Sequence, residues 1–181
     1  NLSKFKYTNI FLCRTLKEWF FSQGKVSYGR YDYNVSQDLL DMCEFNINII
    51  PKEYPVIYDL DGIELLKSLE RIIILDTPIK EIDLTKLSKL EFISCSKTNI
   101  KKLDFSNNKK LKQVYCFDCS ELEIIDFRGI DIKKTTKFNC LDCPKLKMIF
   151  VDCIDDVPSN WEKDSSVPYV EDRIKEVLCP E

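Results

Sequence analysis

Three segments of this sequence can be laid under one another: LERIIILDTPIKEIDL from Leu69, LEFISCSKTNIKKLDF from Leu90 and LKQVYCFDCSELEIIDF from Leu111, each starting 21 residues after the one before. A fourth copy, TTKFNCLDCPKLKMIFV, starts at Thr135 and departs from the pattern in placing Thr where Leu is expected. A unit this short holds one strand and an extended or 3₁₀ return, but not a strand plus a full crossover helix. No single unit can bury an adequate core, so the copies must stack into a solenoid whose strands run parallel at about 4.8 Å.

The spacing follows L-x-x-L-x-L-x-x-N/C-x-L and assigns columns. The first inward strand column is Ile72, Ile93, Val114 and Phe138, and the second is Ile74, Cys95, Cys116 and Cys140. A turn column of Thr77, Thr98, Cys119 and Cys143 is expected to bond the backbone of the neighbouring coil, after which Ile79, Ile100, Leu122 and Leu146 close the turn. Paired apolar positions (Ile82 and Leu84, Leu103 and Phe105, Ile125 and Phe127, Ile149 and Val151) then return the chain along the convex side.

This register bears on the two C-x-x-C pairs, Cys116 with Cys119 and Cys140 with Cys143, which by themselves spell a four-thiolate zinc site. Each of these cysteines replaces an Ile or a Thr of an earlier repeat. Packed structural thiols are therefore the favoured reading, with a zinc site or a disulfide as the alternatives. Nine cysteines are also an odd number, unlike the even sets that staple small secreted scaffolds. No metal or other cofactor is assigned.

Lys and Arg number 27 against 30 Asp and Glu, so the basic excess that nucleic-acid binding needs is missing. No apolar run approaches the roughly 20 residues of a membrane-spanning helix. The chain holds no histidine, which removes the commonest general base and metal ligand and lowers the expectation of an enzyme. It opens at Asn1 rather than Met, which reads as a processed or trimmed product.

Residues 1–55 read as a small helical N-terminal cap, with helical spacing over 4–21 and after Ser36, and a loop or hairpin at SQGKVSYGRYDYN between them. From 56 to 70, Ile57, Leu60, Ile63, Leu66 and Leu69 recur every three residues and lead into the first coil, with Gly62 at a turn. The solenoid spans 56–153 in about four to five coils. A polar tail, 154–181, anchored by Trp161, Tyr169 and Val170 and ending in a possible helix, should cover its open end. The expected fold class is an α/β leucine-rich repeat solenoid, with a short parallel sheet on the concave face and extended or 3₁₀ convex returns.

The stretch DLDGIELLKSLERIIIL, with IKEIDLTKLSKLEFISC, NIKKLDFSNNKKLKQVYC and the tail NWEKDSSVPYV, resembles the internalin-like leucine-rich repeat proteins of bacterial surfaces, especially their cysteine-containing versions from gut anaerobes. The resemblance implies an exported or surface-anchored binding protein without catalytic activity. Related proteins often carry a D-x-N-x-D-G calcium loop in the cap. This chain has SQGKVSYGRYD there, with too few carboxylates to gather six or more oxygen ligands.

Strand residues alternate, so the outward rows are Arg71, Phe92, Gln113 and Lys137; Ile73, Ser94, Tyr115 and Asn139; and Leu75, Ser96, Phe117 and Leu141. Several are large and apolar, and Arg71, Lys137 and Asp118 would edge them with charge, as in a protein-binding patch. The candidate binding residues are Arg71, Ile73, Phe92, Gln113, Tyr115, Phe117, Lys137, Asn139 and Leu141, and the expected partner is another protein or a cell-surface glycan. The bland reading is that terminal segments cover this face or that it is ordinary surface scatter. Asp83, Asp104 and Asp126 recur at one register and could be taken for a catalytic row, but a solvated, turn-bonding stripe is the simpler expectation. The lysine pairs at 101, 109 and 133 read as solvated surface.

Overall fold

The computed structural model describes residues 25–28, 31–34, 46–49, 60 and 63–171. Eleven short strands are described: β1 Lys25–Tyr28, β2 Tyr31–Asn34, β3 Asn46–Ile49, β4 Arg71–Ile74, β5 Phe92–Ser94, β6 Lys102–Asp104, β7 Gln113–Tyr115, β8 Ile124–Asp126, β9 Lys137–Asn139, β10 Met148–Val151 and β11 Tyr169–Glu171. β1 and β2 form an antiparallel hairpin within the stretch read as a loop or hairpin. The helices expected over 4–21, after Ser36 and at the C-terminus lie outside the described residues, as do Ile57 and Gly62.

Parallel pairing joins β3-β4-β5-β7-β9 into one five-stranded sheet. Its register is the repeat itself: Ile72 opposes Ile93, Ile93 opposes Val114, and Val114 opposes Phe138. β3 adds a strand upstream of the repeats, with Ile47 opposite Ile72.

Two features of the expected fold class are corrected. The described residues contain only 3₁₀ turns and no α-helix, so α/β does not fit them. The return segments, moreover, are not merely extended: β11-β10-β8-β6 pair into a second parallel sheet. Leu103 opposes Ile125, which opposes Ile149. The reason lies in the alternation. Each return carries an inward pair around one outward residue, and stacking coils brings those returns within hydrogen-bonding distance as surely as it does the first strands. The product is a two-sheet β-solenoid of about five turns.

The corner that brings each second strand back to the first is a run of 3₁₀ steps. Leu66 N–H bonds Ile63 and Leu69 N–H bonds Leu66; Leu87 bonds Leu84 and Leu90 bonds Leu87; Asn108 bonds Phe105 and Leu111 bonds Asn108. This i to i−3 pattern is why leucines recur every three residues there. At the opposite corner, Asp76, Lys97, Asp118 and Asp142 all take positive φ, between 54° and 59°. That left-handed residue swings the chain so that Thr77, Thr98, Cys119 or Cys143 points inward.

The core runs unbroken through the stack. Ile72, Ile74, Ile93, Cys95, Val114, Cys116 and Cys140 are fully buried, as are Leu103, Phe105, Ile125, Phe127, Ile149 and Val151. Toward the C-terminal end it becomes aromatic: Phe105 stacks on Phe127 at 5.1 Å, and Trp161 lies 4.8 Å from both Phe127 and Phe138. The tail thus acts as a sparse further coil. β11 extends the second sheet, and an isolated bridge from Asn139 to Glu162 prolongs the first.

Thr135, the misfit of the fourth copy, turns out to be matched to its place. It is fully buried, its hydroxyl donates to the Leu111 carbonyl at 3.1 Å, and its own carbonyl accepts the Trp161 indole N–H at 2.9 Å. A leucine there could not give the first of these bonds.

Candidate functional site

The cysteines decide the geometry behind the candidate face. Cys143 donates its thiol to the Cys116 carbonyl at 3.1 Å, and Cys119 donates to the Cys95 carbonyl at 3.2 Å, which also accepts the Thr98 hydroxyl at 2.8 Å. The two cysteines of the turn column therefore tie one coil to the one before, as expected of that column, whereas Thr98 bonds a carbonyl of its own coil and the buried Thr77 hydroxyl meets no partner among the described residues. Cys95, Cys116, Cys119, Cys140, Cys143 and the half-buried Cys153 are free thiols, and among the described residues no group of three or more His, Cys, Asp or Glu gathers round a point that could hold a metal.

Burial pushes the Cys95 and Cys116 thiols well above their ordinary value, neighbouring thiols adding to the effect, and pushes Cys140 up to about 12. Hydrogen bonding to Cys119, together with burial, pushes Cys143 up. Protonated and enclosed, these four are packing groups and hydrogen-bond donors rather than nucleophiles, while hydrogen bonding with Cys143 and Thr98 pulls the Cys119 thiol below its ordinary value.

A second ladder of this kind, at the 3₁₀ corner, was not read from the sequence. The buried Asn108 amide donates to the Leu84 carbonyl at 3.0 Å and to the Leu87 carbonyl at 2.8 Å. The available signal was Asn108 itself, standing three residues before Leu111 where Leu66 and Leu87 precede Leu69 and Leu90.

The recurring aspartates behave as turn bonders, but the solvated stripe is corrected for one of them. Asp83 is exposed and accepts from the Thr85 N–H and hydroxyl; Asp104 accepts from the Ser106 N–H and Lys102. Asp126 is only 5% exposed. It sits between Asp104 and Phe150 in the second sheet and is held by Arg128, whose Nε and Nη2 reach it at 2.9 and 2.6 Å while the guanidinium lies 4.5 Å from the Phe150 ring centre. An Arg two residues on closes over this acid, where Thr85 and Ser106 leave theirs open. The lysines at 101, 102, 109, 110, 133 and 134 are exposed.

On the outer face of the five-stranded sheet, Arg71, Phe117 and Lys137 are exposed and Ile73, Phe92, Gln113, Tyr115, Asn139 and Leu141 half-buried, as alternation requires. Ser96 departs from that expectation. It is 1% exposed, because its small side chain sits in a row between Leu75 and Phe117, which are far larger.

The stack brings several of these together. The Arg71 guanidinium lies 3.6 Å over the Phe92 ring, and Phe92 lies 5.8 Å from Tyr115. Phe117 projects beyond them, 38% exposed. Asp118 and Lys97 form a loose rim pair at 4.0 Å. Farther along, Tyr115, Lys137, Phe138 and Asn139 line a cleft of about 340 Å³ together with Asn160 and Glu162 of the tail. Those two tail residues carried no pattern in the sequence. Gln113 and Ile73 lie on the face but outside the cleft.

No known protein family matches the chain, and no curated protein matches it. Among solved structures it is similar to one described as the functional domain of InlJ from Listeria monocytogenes, which includes a cysteine ladder, at 11% identity and a TM-score of 0.31. The match covers 70% of this chain and 48% of that one, so the chain spans about half the length of its counterpart. Similarity of this degree assigns no function, and the solenoid assignment rests on the strand register.

Proposed function

We propose that this chain is a noncatalytic recognition module of an exported or cell-surface protein, capturing a partner protein on the outer face of its five-stranded sheet. The observation that carries the reading is the aromatic row on that face: Arg71 stacked on Phe92, Phe92 against Tyr115, and Phe117 left projecting. Buried interface centres favour aromatic residues and Arg, which offer much contact area for little lost side-chain freedom. Parallel strands from successive coils hold these side chains on a rigid frame, so little ordering is needed on binding. The absence of catalysis is part of the proposal, supported by a sequence without histidine and by the Cys95 and Cys116 thiols, which burial keeps protonated.

The test is immobilised capture by wild type, Phe117→Ala and Arg71→Ala. Both residues are exposed, so each substitution should leave the melting temperature in place. Loss of a captured species with unchanged melting supports recognition. Unchanged capture by both variants argues instead for a structural spacer within a larger envelope protein.

A further inference from the structure

The cleft at the C-terminal end of the face differs in chemistry from the aromatic row beside it. Part of its lining is already organised. Asn139 donates its amide N–H to Glu162 and accepts the Leu141 N–H at 3.1 Å, while Asn160 donates to the Thr136 carbonyl at 2.9 Å. Beyond those bonds, the lining residues still offer acceptors, the second Glu162 oxygen and the Asn160 amide oxygen, and donors, the Lys137 ammonium and the Tyr115 hydroxyl. Lys137 has no ion pair among the described residues. One cation and one carboxylate leave the walls neutral overall. The Tyr115 ring, braced by Phe92 at 5.8 Å, supplies a flat apolar surface.

A ligand complementary to this has no net charge, groups that both donate and accept around its edge, and a flat C–H face to lie on an aromatic ring. Those are the properties of a pyranose. The volume of about 340 Å³ is at the small end for small-molecule sites and suits one ring entering from an open side. We infer that this cleft seats a neutral pyranose unit of the surface to which the module attaches, an inference that rests on the recognition reading above. The sugar would come from a protein-linked glycan or from a cell-wall polysaccharide.

Saturation-transfer NMR tests it, with the methyl glycosides of glucose, galactose, mannose, N-acetylglucosamine and N-acetylgalactosamine at about 10 mM, since a single ring in an open cleft should bind with Kd of roughly 1 mM. At least one glycoside should receive saturation on its ring C–H protons. Tyr115→Ala should abolish it, and Lys137→Met, at an exposed position that keeps the fold, should weaken binding about tenfold by removing a charged donor. Retention on immobilised N- and O-linked oligosaccharides against retention on insoluble wall polysaccharide then separates the two sources.

No saturated glycoside, or saturation unmoved by both variants, overturns the inference. So does binding of glycine in place of every glycoside, which would make Lys137 and Glu162 readers of a dipolar ligand. Failure here while Phe117→Ala still abolishes capture discards the sugar alone, whereas capture indifferent to Phe117 discards the recognition reading itself.

Discussion

Replacing Cys143 by Val, Thr and Ala separates the thiol's hydrogen bond from its bulk. The Cys143 sulfur is 3.1 Å from the Cys116 carbonyl and 3.6 Å from that of Leu141, in a position only 2% exposed. Val preserves shape and removes the donor, leaving a buried acceptor short of its partner, which costs about 1–3 kcal/mol. Thr restores a hydroxyl donor, of the kind that Thr98 supplies two column members earlier to a carbonyl of its own coil, so Cys143→Thr should fall within about 1 kcal/mol of wild type. Ala loses the bond and the sulfur's packing together, and should cost about 2–4 kcal/mol. With a urea dependence near 2 kcal/mol per M, the Val midpoint should drop by roughly 0.5–1.5 M while Thr stays close to wild type. Equilibrium urea unfolding followed by circular dichroism, with and without a chelator, measures this. Three results would refute the ladder: Val as stable as wild type, Thr no better than Val, or a chelator that lowers the wild-type midpoint. The last would restore the zinc reading of the C-x-x-C pairs.

Asn108→Asp, isosteric but acceptor-only when ionised, turns two carbonyl contacts repulsive in a fully buried site and should cost more than about 3 kcal/mol in urea unfolding; a loss under about 1 kcal/mol would remove Asn108 from the corner ladder. Lys97→Gly relieves a side chain held at φ 59° and should raise stability, or at worst leave it unchanged, by up to about 1 kcal/mol after the entropy of the added glycine, against clear loss for the same change at Lys112 in β7's approach. Stability should fall at alkaline pH. The Cys95, Cys116 and Cys140 thiols are held above their ordinary value in the fold, so above about pH 9 the unfolded chain releases protons that the native one retains, each contributing up to about 1.4 kcal/mol per pH unit until its folded value is passed. Unfolding midpoints at pH 8, about 9 and about 10 check the sign. Phe117→Ala should change stability by no more than about 0.5 kcal/mol, which thermal melting can verify alongside the capture assay.

Much of the solenoid was legible because its signal is one-dimensional. A column is a residue type recurring at a fixed interval, and Ile72, Ile93, Val114 and Phe138 keep theirs through an interval that lengthens from 21 to 24. Alternation then assigned the candidate face, and placed eight of the core-facing strand residues correctly. The second sheet was missed for a reason of kind rather than degree: an inward-outward-inward return reads the same whether or not its backbone finds a neighbour to bond. Ser96 and Asp126 were misjudged because exposure belongs to the neighbours, Leu75 and Phe117 in one case and Arg128 and Phe150 in the other.

The amino-acid order alone determined the period, the inward columns, the replacement of Ile and Thr by Cys, and the outward row containing Phe92, Tyr115 and Phe117, because each follows from spacing along one chain. Only the folded stack decided which carbonyl each thiol meets, that the returns pair into a sheet, and that Asn160 and Glu162 come round to wall a cleft beside Tyr115. Those facts depend on distances between residues some 20 to 50 positions apart, and a contact of that kind is set by how the coils close on one another in space.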